Sequence, residues 1–442
     1  MTEVEVGVLS VIGVLVLVYI GMHVGIALAL ISYIGVWIVR DDATIAGKLL
    51  AAAAAESLRR FEFGVIPLFV FMGLLVSVSG IGKDTYDVTN HLFRRVRAGL
   101  GTATVVANAV FAAVTGSSIA SASVFTKVAV PEMLRFGYNT RFAVGVVAGS
   151  SVLGMLIPPS MLLILFGILT ESSIGDLFIA GIFPGILLAF AFTVLIAIMA
   201  RQFPEHVMPG GTEVIDTSPH MGQIELSIKL FPILLLIFVV LGGIWGGIFT
   251  ATEAGGVGAF GAFILALVKR SLTFQSLWRV LTETGHVTAS ICFLLISAHL
   301  YGKLIVVSGI PGLMEGFIEE SNLGPGELLA IYLVVVVLLG TILDSGSIML
   351  ITVPLAFPIL TSIGVDLTWF GIVTIIAVEI GLLTPPLGIA CFVIHNNLGD
   401  IAAGGKIKVG DIFIGAAPFA LTMLVVLVLI VFFPQIALVL VR

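Results

Sequence analysis

Residues Gly154–Ser160 read GMLIPPS and sit inside an apolar run from Phe142 to Leu169. Residues Gly381–Gly388 read GLLTPPLG inside a second such run. A proline removes a backbone N–H and obstructs the carbonyl four residues earlier, so two in succession break a helix. One such break is compatible with a packing kink. Two in related sentences of sequence point to a built feature.

Working outward, the breaks belong to two copies of one unit. GLLVSVSGI (Gly73–Ile81) returns as GKLIVVSGI (Gly302–Ile310), 229 residues later. TGSSIA (Thr115–Ala120) is echoed by SGSIML (Ser345–Leu350) after 230, and Gly154 by Gly381 after 227. Three matches in one order at nearly one offset define an internal repeat. The reading divides the chain into a first repeat (1–201), a polar Pro/Gly-rich linker (202–227) and a second repeat (228–442).

Composition fixes the solvent. The 442 residues are 59% hydrophobic and only 10% charged, with a mean hydropathy of +1.22. A water-soluble globule carries about a quarter charged residues, so this is an all-α polytopic membrane protein; solid apolar blocks exclude a β-barrel. The start carries Glu3 and Glu5 and no basic region, which reads as a retained span rather than a signal peptide. The two cysteines, Cys292 and Cys391, show no metal or disulfide spacing, and no phosphate loop, zinc motif or nucleic-acid feature appears.

Full spans are expected at about 5–21, 24–39, 62–79, 142–170 and 177–200, and at 229–249, 252–268, 286–307, 369–397 and 412–434. An amphipathic stretch with Lys48, Glu56, Arg59 and Arg60 lies between the second and third. One Gly/Ser/Thr-rich segment per copy, about 100–134 and 326–361, is too broken for a single span. A hairpin that enters and leaves on one side satisfies the rule that irregular backbone at membrane depth must be buried in protein. With five spans and one re-entrant hairpin per copy, most cations, from Lys83 and Arg94 through Arg141 and Lys229 to Lys406 and Lys408, share one side. The other keeps Arg40, Lys48, Arg59, Arg60 and Arg442 beside Glu171, Asp176, Glu315, Glu319, Glu320 and Glu327. Positive charge marks the cytoplasm, so both termini face outward, and the odd number of spans inverts the second repeat.

Inverted repeats with broken helices belong to secondary transporters. The freed carbonyls suit a dehydrated cation, and the half-helix after each break suits a carboxylate. An intramembrane enzyme would need a placed nucleophile or a metal cluster with a base, and the polar residues here are mostly small hydroxyls. Among membrane charges, Asp344 is a candidate ion ligand or helix cap, and Glu379 a candidate brace reaching backbone N–H groups of the broken helix. Lys127 snorkels, Lys303 and His299 form a polar contact between packed units, and Glu253 caps a helix start.

TGSSIASASVFTKVAVPEM, GMLIPPS, SGSIMLITVP and EIGLLTPPLG together resemble the large membrane (M, DctM-like) subunit of tripartite ATP-independent periplasmic (TRAP) transporters, over essentially the whole chain. The resemblance implies an elevator-type importer of organic acids, such as C4-dicarboxylates, sugar acids or sialic acids, driven by a sodium gradient in the bacterial inner membrane. It implies two partners, a small four-helix membrane subunit on a separate chain and a periplasmic substrate-binding protein. Carried over by position, it assigns sodium to Ser117, Ser118 and Gly154 at the first tip and break, and to Asp344, Gly346, Gly381 and Thr384 at the second. Substrate falls near Ser121, Pro159, Ser160, Ser347, Pro386 and Gly388. The alternative is a self-sufficient sodium/anion symporter of the same broad plan.

Overall fold

The computed structural model describes residues 2–209, 221–321, 324–362, 364–399 and 407–441. The middle of the linker, Lys406, Arg442 and the side chains of Glu315 and Glu319 lie outside what is described. Among the described residues every regular element is helical. The first half runs α1 (Glu3–Tyr19), α2 (Val24–Arg40), α3 (Ala43–Arg59), a 3-10 turn (Phe61–Gly64), α4 (Val65–Val78), α5 (Ile81–Phe93), α6 (Gly99–Thr115), α7 (Ser118–Arg135), α8 (Thr140–Ser151), α9 (Leu153–Leu156), α10 (Met161–Thr170), α11 (Ile174–Gln202) and α12 (Pro204–Val207). The second runs α13 (Gln223–Trp245), α14 (Ala251–Val268), α15 (Phe274–Val307), α16 (Ile310–Ser321), α17 (Pro325–Gly340), α18 (Ser345–Ser362), α19 (Leu367–Leu382), α20 (Ile389–Leu398), α21 (Val409–Phe432) and α22 (Gln435–Leu438). Helices α17, α18 and α19 begin 226 or 227 residues after α6, α7 and α8.

Local chemistry sets the helix starts. Asp42, Ser117, Asn139, Ser160, Ser173 and Asp366 each accept a backbone N–H from the first turn they precede. Such caps satisfy donors that have no partner inside the helix. Thr250 and Glu253 form a reciprocal capping box at α14, which gives Glu253 the capping role read from its position.

The two halves interleave. Helix α4 packs on α14, α2 on α15, α8 on α21, α10 on α18 and α7 on α20. Burial separates an inner from an outer group. The apolar window of Thr140–Thr170 is 89% buried, that of Gln223–Trp245 only 17%. The first break therefore sits in the middle of the protein, and α13 stands at its surface.

One expectation changes. The third span of the second copy is not a short helix at 286–307; α15 runs unbroken for 34 residues from Phe274. Its counterpart in the first copy is split into α3 and α4 because Gly64 and Pro67 follow Arg60, whereas the matching stretch Ala289–Phe293 holds neither residue type. Among the described residues seven helices are long and apolar enough to cross a membrane by length and composition, and shorter apolar helices, among them α2, α17 and α19, accompany them. The remainder are short partly because the breaks divide them: α19 has 16 residues and α20 only 10. The amphipathic helices α5 and α16 were not distinguished from the sequence.

Candidate functional site

Each hairpin turns at a tip, and each tip seats on a Pro-Pro break. In the first copy α6 ends at Gly116, whose φ of +60° lies in the left-handed region that favours glycine. A Cβ on Gly116 would collide with the Pro159 carbonyl oxygen. The Gly116 carbonyl accepts the Met161 N–H at 3.2 Å. Opposite, a Cβ on Gly154 would stand 2.7 Å from the Ser117 carbonyl carbon and oxygen and 2.9 Å from the Ser118 nitrogen. Ser117, Ser118, Gly154 and Pro159 thus meet backbone to backbone.

The second copy repeats the arrangement with other atoms. The Thr341 carbonyl accepts the Leu387 N–H at 3.0 Å and the Gly388 N–H at 3.4 Å. Gly381 approaches Gly340 so closely that a Cβ would lie 2.5 Å from the Gly340 Cα. The Pro158–Pro159 and Pro385–Pro386 bonds are both cis.

Individual side chains then take defined roles. Ser117 caps α7, accepting the Ala120 N–H at 3.3 Å. Asp344 does the same for α18, accepting the Ser347 N–H at 3.1 Å and the Ser347 hydroxyl. Gly346 sits against Asp344 Oδ2. Ser160 caps α10 and donates its hydroxyl to the Met155 carbonyl, which Pro159 cannot reach as a helical donor. The Thr384 hydroxyl donates to the Ile380 carbonyl at 2.7 Å. Ser118 Oγ and Ser121 Oγ are buried without a hydrogen-bond partner.

The assigned residues therefore form two clusters. Ser117, Ser118, Gly154, Pro159 and Ser160 gather at the first break; Gly381 seats on Gly340 and Gly388 bonds to Thr341 at the second. No hydrogen bond among the described residues joins the substrate candidates Ser121 and Ser160 of the first copy to Ser347 of the second. The breaks also differ in access. Pro158 and Pro159 are buried, whereas Pro385 and Pro386 are exposed.

Glu379 and Arg60 find partners that the sequence did not give, whereas Lys303 and His299 make the polar contact between packed units expected of them. Glu379, expected to brace backbone N–H groups, instead accepts the Ser345 hydroxyl at 3.3 Å. Arg60, read from the sequence only as part of the outward amphipathic stretch, pairs with Glu171 at the end of α10. Lys303 pairs with Glu56 at 2.9 Å, and His299 Nδ1 lies 3.0 Å from the Ser57 hydroxyl. Glu56, Arg60, Glu171, His299 and Lys303 line a cleft of about 430 Å³ between α3, α15 and α18. Lys127 is exposed and shares a 440 Å³ cleft with Lys83 and Arg94 between α5 and α7. Only the i, i+4 spacing of His299 and Lys303 signalled any of this.

Chemically, the donor set at the tips is hard oxygen: hydroxyls and main-chain carbonyls, with one carboxylate at Asp344. Such sets suit alkali cations rather than soft metals, and no cluster of His, Cys, Asp or Glu fit for a transition metal occurs among the described residues. Helices α10 and α20 begin at the breaks, with the positive ends of their dipoles toward them, a polarity that favours an anion.

Comparison with known proteins extends over most of the chain. Residues 11–436 match the family model described as the DctM component of the tripartite ATP-independent periplasmic transporter. The chain is 32% identical to the C4-dicarboxylate TRAP transporter large permease protein of Pseudomonas aeruginosa, over 88% of each chain. It is 28% identical to the sialic acid TRAP transporter large permease protein of Vibrio cholerae, over 98% of this chain and 97% of that one. It is 30% identical to the 2,3-diketo-L-gulonate TRAP transporter large permease protein of Escherichia coli, over 88% of each. In three dimensions it is similar to the Alcanivorax borkumensis YdaH transporter, with a TM-score of 0.58 at 13% identity over 88% of each chain.

Proposed function

The chain belongs to the DctM component family of tripartite ATP-independent periplasmic transporters, and from that premise we propose that it is the large transport subunit of a sodium-driven, binding-protein-dependent importer of organic acids. It is a multi-pass membrane permease and not an enzyme. It works in the bacterial inner membrane with a small four-helix subunit and a periplasmic binding protein, both of its own termini facing the periplasm.

One observation carries the reading: each hairpin tip is held on its Pro-Pro break by main-chain contacts at Gly116, Gly154, Thr341 and Gly381. In this account the two copies are inverted repeats, and the tips and breaks form the moving unit of an elevator. Sodium is cargo. It would be held at the first tip by Ser117 and Ser118 with the Gly154 carbonyl that Pro158 leaves without a helical donor, and at the second by Asp344, Gly346, Gly381 and Thr384. An organic acid lies between the tips, where Ser121, Ser160 and Ser347 offer hydroxyls and the starts of α10 and α20 offer N–H groups for a carboxylate. The relatives named for C4-dicarboxylate, sialic acid and 2,3-diketo-L-gulonate transport support an acidic substrate. The outer helices α1–α4 and α13–α15 supply the frame against which the inner group moves.

The test is uptake of radiolabelled succinate, malate, sialic acid and sugar acids into proteoliposomes holding this chain and its small subunit. An inward sodium gradient and the cognate binding protein are each supplied or withheld. Uptake that requires both supports the tripartite reading. Sodium-dependent uptake without the soluble protein replaces it with a self-sufficient symporter, and uptake indifferent to sodium removes the ion assignments.

A further inference from the structure

One buried carboxyl group lies between the two hairpins. Glu379 is 1% exposed and projects from α19, two residues before Gly381. Its Oε1 accepts the hydroxyl of Ser345, the first residue of α18, at 3.3 Å. The hydroxyl of Ser118, the first residue of α7, faces the same carboxyl group. Ser118 and Ser345 hold the same place in the fold, each the first residue of the helix that leaves its tip. Two 18-residue helices from opposite halves of the chain therefore direct their N-terminal ends and their first hydroxyls at one side chain.

The arrangement is not duplicated. The position matching Glu379 in the first copy is Val152, which is buried and apolar. A brace needed by each break for its own sake would appear in both. Ser118 Oγ and Glu379 Oε2 are both buried and make no hydrogen bond, whereas the Ser345 bond is formed. One arm of the tie is closed and the other has slack.

We propose that Glu379 is a positioning residue that ties the two hairpin tips to each other, so that displacement of one tip is transmitted to the other. A buried carboxyl oxygen that loses its donor is left unsatisfied in a site with no water to replace it. Ser345 cannot move away without that penalty, and the two buried, unpartnered atoms opposite it, Ser118 Oγ and Glu379 Oε2, are satisfied only by closing on each other. The two helix N-termini lower the cost of placing the carboxyl group there at all. The tie makes a single switch of what would otherwise be two independent hairpins. This goes beyond the transport reading and stands on the contacts of Ser118, Ser345 and Glu379 alone.

The experiment reads the first tip while the second is altered. In the full chain with Cys292 and Cys391 replaced by alanine, spin labels are placed at I119C beside the first tip and at I186C on α11 as a fixed reference. Both positions are exposed. Distances are measured by pulsed electron resonance in lipid nanodiscs, with neither substrate nor sodium added. The expected result is one narrow distance for the parent and for E379Q, which still accepts from Ser345 and gains an amide donor for Ser118. S345A, on the other hairpin, should broaden that distance, and E379L should broaden it more. An unchanged distribution in S345A overturns the proposal. So does an E379L protein that melts earlier but keeps the narrow distance, since that is a purely structural carboxyl group. If E379L does not fold, S345A and E379Q decide. No uptake is involved, so failure here leaves the transport reading standing, and the reverse holds too.

Discussion

Gly154→Ala adds a single methyl group at the point where the first tip meets its break. The new carbon would lie 2.7 Å from the Ser117 carbonyl and 2.9 Å from the Ser118 nitrogen, all main-chain atoms. To reach ordinary van der Waals contact the tip must retreat by about 0.7 Å, and overpacking of this kind costs about 1–3 kcal/mol. If sodium is held by the seated tip, that cost falls on the ion-bound state and weakens sodium about 5- to 150-fold. Each factor of ten in affinity removes about 1.4 kcal/mol of ligand stabilisation at saturating ion. The assay is thermal melting of the purified protein in sodium chloride against choline chloride at equal ionic strength. Wild type should melt higher in sodium, and G154A should lose most of that difference. G256A is the control, since a Cβ there meets nothing within 4 Å, and it should keep the full difference. A G154A protein with an undiminished sodium effect would refute the link between tip seating and the ion.

Other sites give independent tests. The Asn108 amide donates to the Ser150 hydroxyl at 2.6 Å in a fully buried contact between α6 and α8, so S150A should destabilise the protein by about 1–3 kcal/mol in chemical denaturation. Gly415→Ala would drive its Cβ into the Arg141 carbonyl where α21 crosses α8; membrane expression should fall sharply, with Gly410→Ala, in open space, unaffected. The Lys303 ammonium, by its hydrogen bond, holds the Glu56 carboxyl below its usual 4.5. The pair therefore stabilises fully above that pH and is lost as pH falls through the lowered value. The melting difference between wild type and K303M should vanish in acid and return near neutrality.

Features that act along the chain were legible; features that act between distant segments were not. Pro158–Pro159 and Pro385–Pro386 announce their breaks because proline cannot continue a helix, and TGSSIA announces a tip because Gly and Ser supply a turn and a cap. Ser117 and Asp344 lie at the tips, and the capping role weighed for Asp344 is seen in its three-residue local hydrogen bonds to Ser347. The partner of Glu379 was misread because Ser345 lies 34 residues away and no periodicity records that approach. The Arg60–Glu171 pair was missed for the same reason, since Glu171 is 111 residues off, although both residues were placed on one side. The unbroken course of α15 had a signal that was passed over: the absence of Gly and Pro from Ala289 to Phe293.

That uninterrupted helix has a mechanical meaning. At 1.5 Å per residue its 34 residues form a rod about 51 Å long, against a hydrocarbon layer of about 30 Å. Its first turns carry Gln275, Ser276, Arg279, Glu283 and His286 with an exposed Trp278, suited to the headgroup zone and the water beyond. The first copy bends at the same place, between Arg60 and Val65. One half of the molecule thus has an elbow, able to change angle at one end while the other end stays put. The other half has a strut, and a push at Thr273 arrives undamped at Val307, on the far side of the layer it crosses.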